Sequence, residues 1–513
     1  MNRKDFKAIL LLCACWLALQ GTRMEAFSLL GPYEAWMQPS TCFRLPVLPP
    51  FLEERGDYFD VPGDIGGPMC ISNGYRWNVP VVTYGFDQSF LNFFGTNGVA
   101  AVEGAIQMLN ALSPASSVEL TNYPDDSELI NPQAQAQSLF DLQSVTLSLL
   151  LEQLGLASPT RFIYVLQAWT NEPGGPVYHG IMRNYDPETL LLTSSVNGFE
   201  YSYAVWSGID IGLDEAAFVT LPDDAGSSQY YTAVADNSLN VGSFYTGLTA
   251  DDVGGLCYLL STNNVNFETL LPGVSGVGTN ANSWVNGAWR PGVDKITFVS
   301  HPTGALPWEF LPMTNQYADT YITNGNVTQQ QVQRLINQPD FLFCAGDTGK
   351  QYAAVLPYAR TGTSNWINNA ALNGNASGGG PGVIQPPMRI TFDKLGPTLA
   401  TVGSGLQETS YYESTFWGTY DQSTNAPIIY PLPQSGSNQL TVRLWLPVVP
   451  SPVPLGKSIE FSATGQSGAS FLLQTSTNLT DWISMATNQL NGSILTLFEY
   501  PSVAARFYRL VPQ

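Results

Sequence analysis

Charged side chains are scarce in this chain. Asp, Glu, Lys and Arg make up 12% of its 513 residues, about half the roughly 25% of an average soluble domain. Whatever surface it folds into must therefore be covered largely by Asn, Gln, Ser, Thr and Gly. The apolar share of 44% is ample for buried cores, and the length suggests roughly three domains of about 150 residues each. The few charges are unbalanced, at −21 in total. An acidic chain without a Lys/Arg cluster repels phosphate backbones and anionic lipid, which argues against nucleic acid or membrane surfaces as partners.

The N-terminus has the layout of an export signal. Arg3, Lys4 and Lys7 precede an apolar run from Ala8 to Leu19. That run is too short to span a bilayer as a helix, which takes about 20 residues. Cleavage is expected after Ala26, or near Gly21. Leu12-Cys13-Ala14-Cys15 loosely resembles a lipoprotein box, so a lipid anchor is the alternative to simple cleavage. No later segment is apolar enough to cross a membrane, so no transmembrane segment is expected. The expected location is secreted or cell-surface.

Beyond the leader stand Cys42, Cys70, Cys257 and Cys344. An even count in an exported chain favours disulfides, and four cysteines allow three pairings. Cys42–Cys70 with Cys257–Cys344 closes the shorter loops and is the expected pairing. The spacing supports no CxxC metal or redox motif.

The chain divides as follows. After the signal (1–26), residues 27–79 are rich in Pro, Gly and aromatics and read as an extended segment against the main body. Residues 80–275 read as an α+β domain. Within it Val81–Tyr84 is a strand, Gly98–Leu112 and Leu139–Leu156 are helices, and Arg161–Gln167 is a buried strand. Thr249–Leu260 reads as a helix, with Thr249 as cap and Asp251 and Asp252 in the first turn. Gly273–Asn282 reads as a linker or loop. A middle region, 276–382, belongs to the core or stands alone, with a helix expected near Thr328–Asn337. Gly374–Gly382 is a flexible Gly-rich stretch. Alternation then takes over in a β-sandwich-like module (383–450) and a C-terminal β-domain (451–513), with Pro447, Pro450, Pro452 and Pro454 as a stiff linker.

Three stretches resemble the catalytic domain of matrixins, a branch of the metzincin zinc proteases. Val82-Thr-Tyr-Gly-Phe-Asp87 and the helix carrying Ala101-Val102-Glu103 resemble the opening strand and helix. Leu154-Gly155-Leu156 resembles the LGL that ends the zinc-binding helix. Leu248-Thr-Ala-Asp-Asp-Val-Gly-Gly-Leu256 resembles the closing helix with its DD pair, and Gly180-Ile-Met182 faintly resembles the methionine turn. The resemblance covers about residues 79–261 and implies a large insertion between LGL and DD. The family's chemistry uses HExxHxxGxxH: two imidazoles one turn apart, a glutamate that activates water, and a glycine turn that delivers a third imidazole. Aligned on Gly155, the three ligand positions hold Ser148, Glu152 and Ser158, and the glutamate position holds Leu149. Only two histidines exist in the whole chain, His179 and His301. The resemblance therefore implies a pseudoenzyme with no catalytic residue, no cofactor and no zinc. A metzincin-like peptidase survives only if His179, His301 and Glu152 converge. The expected fold class is α+β multidomain, a metzincin-like α/β core followed by two small β-sandwich-like modules.

A second resemblance lies at the C-terminus. Phe471-Leu-Leu-Gln-Thr-Ser-Thr-Asn-Leu-Thr-Asp-Trp482 and Arg506-Phe-Tyr-Arg-Leu510 resemble a small β-domain found at the ends of many uncharacterised exported bacterial proteins, which implies secretion or surface display.

Other constellations read blandly. His179 and His301 have no GxSxG elbow or other nucleophile beside them. Asp125-Asp126 and Asp223-Asp224 follow prolines and read as turn formers, and Asp251-Asp252 as a helix start. The acids also leave room for structural calcium. Tyr230-Tyr231, Tyr411-Tyr412, Trp417 and Trp482 are either a glycan-stacking surface or, more commonly for such aromatics, core. The expectation is a non-enzymatic exported binding, adhesion or assembly protein, whose partner is an extracellular protein, a glycan or further copies of itself. The alternative is a secreted carbohydrate-active hydrolase using paired carboxylates.

Overall fold

A computed structural model describes residues 25–31, 67–71, 76–207, 216–222, 233–236, 239–346, 359–361, 366–367, 383–384, 386–393, 416–431, 439–445, 458–464, 470–478, 480–489, 494–499 and 507–512. The signal-like run with Cys13 and Cys15, Cys42, Asp223-Asp224, both tyrosine pairs, Gly374–Gly382 and the proline-rich run 447–454 lie outside them. The chain is a mixed α+β protein. Among the described residues no helix is long and apolar enough to cross a membrane.

The core is organised on a mostly parallel sheet. Val81–Phe86 pairs in parallel with Thr297–Ser300 on one side and Phe341–Gly346 on the other. Phe341–Gly346 pairs in parallel with Met388–Asp393, and Ala359–Thr361 adds an antiparallel edge. Phe341–Ala345 is buried throughout, the continuous apolar run expected of a parallel strand covered on both faces. The sheet thus draws on residues from the 80–275, 276–382 and 383–450 segments alike. It also places four of its five strands after the DD helix, which therefore does not close the unit.

Against this sheet packs the helix Gln88–Ala111, capped by the Asp87 carboxylate on the Phe90 N–H. It starts ten residues before the expected helix and kinks at Gly95, whose φ of 61° a side chain would resist. The kink aims Phe90 and Phe94 at Phe343, Phe392 and Trp417, with ring centroids 4.8 Å apart for Phe90–Phe94 and 5.4 Å for Phe392–Trp417. Trp417, 1% exposed, is thus core and not a glycan platform.

The expected Leu139–Leu156 helix divides. Leu139–Asp141 is a short strand pairing with Phe416–Thr419, and the helix proper is Leu142–Leu154. The reason is local: the Asp141 carboxylate accepts from the Ser144 N–H at 2.8 Å, a helix cap inside the apolar run. At the other end, the chain near the N-terminus enters the body as a buried strand, Phe27–Gly31, pairing with Leu156–Ala157, Asn184–Tyr185 and Gly67–Pro68.

A second, antiparallel sheet runs in the order Asn266–Thr269, Gly287–Arg290, Met313–Thr323, Asn326–Ile336, Val274–Gly276. It corrects two expectations. The Gly273–Asn282 linker contains its edge strand. The helix expected near Thr328–Asn337 is instead half of a long hairpin turning at Asn324 and Gly325, both at positive φ. The period-2 signal was hidden because the buried positions Gln330 and Arg334 are polar. Gln330 donates to the Asp319 carboxylate at 2.7 Å, and Arg334 pairs with Asp340.

That last pair links the two sheets. Asp340 is fully buried and accepts from the Arg334 guanidinium and from the Thr83 N–H at 2.8 Å, while its own N–H donates to the Thr83 hydroxyl at 3.0 Å. The hairpin is thereby fixed to the central strand.

In the C-terminal region, Gln439–Trp445, Ser458–Thr464 and Ile494–Glu499 form one antiparallel sheet, and Ile483–Gln489, Ser470–Ser476 and Phe507–Pro512 another. The strands flanking the proline-rich run pair with each other, so that run joins two neighbours in one sheet. The two motif pieces meet where Arg509 stacks over Trp482, 4.3 Å from the ring centroid.

Replacing Asp340 by Ala strands a buried guanidinium. Asp340→Ala should lower stability by about 3–5 kcal/mol, and Thr83→Val by about 1 kcal/mol, read by denaturant unfolding at neutral pH.

Candidate functional site

The helix Leu142–Leu154 carries the positions at which the resemblance places a catalytic metal. Gly155 ends it with φ 111°, a left-handed cap whose N–H returns to the Leu151 and Glu152 carbonyls. The chain thus makes the sharp turn that a motif of this kind needs, but what the turn delivers is different. Ser148 is 2% exposed and its hydroxyl bonds back to the Ser144 carbonyl at 3.3 Å. Leu149, where the glutamate would stand, is buried in the core. Glu152 is half-buried. Ser158, after the turn, caps the short helix Pro159–Phe162 and donates to the Asp236 carboxylate at 2.6 Å.

His179 and His301 do not come to this helix. His179 sits exposed in the strand Gly175–Met182, opposite Ala168. The same strand takes up Gly180–Met182, the segment set against a methionine turn. His301 is 2% exposed in a loop after Thr297–Ser300, its Nε2 3.0 Å from the Leu311 carbonyl, so Nε2 carries the proton. Burial pushes its pKa down. Among the described residues no three His, Cys, Asp or Glu side chains form a group able to hold a metal. Two serines and a leucine, already committed to a back-bond, a cap and the core, do not fit a zinc ion.

The cysteines also depart from expectation. Cys70, Cys257 and Cys344 are free thiols, so the expected Cys257–Cys344 bridge is not formed. Cys344 lies in a central strand with its Sγ 3.0 Å from an Arg389 nitrogen. Cys257 lies on the helix Ala250–Leu260 and lines a small apolar cavity of about 40 Å³ with Leu109, Ile296 and Phe298. Burial pushes the two thiols up to about 12 and about 11, which makes both poor nucleophiles.

The densest chemistry lies beside the Gly155 turn, in three buried aspartates. Thr249 and Asp252 form a reciprocal capping box at the start of Ala250–Leu260. Asp252 does more than favour the helix dipole, because it also accepts the Val234 and Ala235 N–H groups at 3.0 and 2.9 Å. Asp251 accepts from the Ala26 N–H at 2.6 Å and the Asn197 N–H at 2.7 Å. Asp236, which sequence reading missed, accepts from the Ser158 and Thr160 hydroxyls and from the Thr160 and Ala233 N–H groups. Nothing in its neighbourhood, Ala233-Val-Ala-Asp236, marks it as special.

Burial raises all three pKa values, Asp236 to about 6. Raised carboxyl groups often mark catalysis, but here every carboxylate oxygen faces a backbone or hydroxyl donor of the fold itself. Asp126 is exposed and accepts the Glu128 N–H, which forms the expected turn. Ala26 is fully buried through its contact with Asp251. A leader cut near Gly21 keeps that contact, and a cut after Ala26 removes it.

Searches of family models, curated proteins and solved structures find no match to the chain.

Asp236 generates a pH test. Its folded pKa of about 6 lies above the ordinary 3.8, so between those values the folded chain holds a proton that the unfolded chain has released. Its contribution to stability therefore grows as pH falls. The Tm advantage of the native protein over Asp236→Asn should widen from about pH 7.5 to about pH 5. The comparison cancels His301, whose lowered pKa works in the opposite direction in both proteins.

Proposed function

We propose that this chain is a non-enzymatic exported or cell-surface protein, acting in binding, adhesion or assembly, on a metzincin-like scaffold without its reaction. The observation that carries this reading is the Leu142–Leu154 helix. Its turn glycine is kept in the left-handed region, while the ligand and base positions are filled by side chains that support packing and capping. A site that had merely lost its metal would retain donor side chains converging on one point. The Asp251-Asp252 pair supports the same reading, because donors of the fold occupy both carboxylates. The two C-terminal three-stranded sheets suit small β-sandwich-like modules of the kind that accompany secretion or display. The partner would be an extracellular protein, a glycan or further copies of the chain. A structural calcium ion would leave the reading unchanged.

The test is to export and purify the mature protein, then measure bound metal, assembly size and hydrolysis together. Substoichiometric zinc, intact casein and no reducing ends released from polysaccharides are expected. Stoichiometric zinc with casein cleavage would restore a peptidase. Release of reducing ends would establish a carbohydrate-active hydrolase in its place.

A further inference from the structure

The five-stranded antiparallel sheet inverts the usual placement of charge. Its strands contain four charged residues, Glu268, Arg290, Asp319 and Arg334, and all four point inward. Each is ion-paired: Glu268 with Arg76, Arg290 with Asp319, and Arg334 with Asp340. The strand alternation then decides the other face. Trp289 pairs across strands with Phe267 and with Ile322, and the outward register continues through Gln316 opposite Gln333, Ala318 opposite Gln331, and Thr320 opposite Gln329. That outward face bears no charged side chain, on a chain of net charge −21. It spans two 11-residue strands, about 37 Å in length.

Trp289 is 52% exposed, and Phe267 meets its ring nearly edge-on, at 81° and 5.8 Å between centroids. The aromatic is thus held in place while much of its surface stays open. Ile322 and the exposed Val327 extend this apolar end of the face, Leu335 marks the far end, and between them lies a field of amides and hydroxyls, groups that both donate and accept hydrogen bonds.

We infer that this outer face, centred on Trp289 and the Gln316, Gln329, Gln331 and Gln333 amides, binds a neutral polysaccharide chain. The inference rests on the binding reading above and names its ligand. The chemistry matches on three counts. Sugar rings present apolar C–H faces that stack on an exposed indole. Sugar hydroxyls need partners that donate and accept, as amides do. A neutral polymer loses nothing by meeting an uncharged surface, whereas anionic polymers have no cation there to meet. A protein interface would instead be expected to centre on clustered aromatic and Arg anchors; this face has no Arg, and its exposed apolar side chains stand apart, Trp289 and Val327 at one end and Leu335 at the other, with the amides between them.

The experiment is affinity electrophoresis of the full mature chain in gels containing hydroxyethyl cellulose, xyloglucan or glucomannan, with alginate as the anionic control. Retardation is expected in at least one neutral polymer, insensitive to added salt, and none in alginate. Trp289→Ala should weaken retardation about tenfold or more. Gln331→Glu, which adds a charge to an exposed position, should weaken it too, and unchanged Tm values would show that both variants fold. Absence of retardation in all three polymers, or retardation equal in Trp289→Ala, overturns the inference. A change in sedimentation of Trp289→Ala without a change in retardation also overturns it and makes the face a contact between copies. None of these failures touches the non-enzymatic reading, which falls only if the same polymers or casein are cleaved.

Discussion

The packing of this core depends on carboxylates that act as acceptors for buried backbone. Asp236, Asp251 and Asp252 together take N–H groups from residues 26, 160, 197, 233, 234, 235 and 249. These donors sit in short connections with no ladder partner of their own, and a buried N–H left unpaired is costly. A carboxylate suits the task because its two oxygens accept up to four hydrogen bonds. Burial opposes the negative charge, and the raised pKa values record that opposition. The hydrogen bonds offset it, so the three acids serve as structural nodes.

How much of this was legible in the sequence depended on whether a signal was local. The helix Ala250–Leu260 was read closely because Thr249 and the acidic first turn lie next to it in the chain. The start of the Leu142–Leu154 helix is hidden in the sequence, since Asp141 caps it within a largely apolar stretch. Half of the hairpin Met313–Ile336 reads as helix from the sequence, because its inward positions hold Gln330 and Arg334, which only their buried aspartate partners make tolerable. The Asn324–Gly325 dipeptide was the signal that would have found it.

The candidate site shows the same division. That Ser148, Leu149 and Ser158 stand where the resemblance, aligned on Gly155, would put a metal set is legible in the sequence. That Ser158 is bound to Asp236 is not, because 78 residues separate them. The uncharged outer sheet face was equally hidden. Composition announced that amides and hydroxyls would cover the surface, but only strand register shows that they gather on one side while every charge on those strands turns inward.

The parallel sheet has a consequence for how the chain reaches its native state. Val81–Phe86 finds its neighbours at Thr297–Ser300 and Phe341–Gly346, more than two hundred residues further along. Closing such wide loops precedes any reward from the contacts they make, so pairing of this kind is slow. The early strand and its phenylalanine-rich helix must wait, apolar and uncovered, until the later strands emerge. A chain made from its N-terminus thus stays unfinished until its later strands are in place.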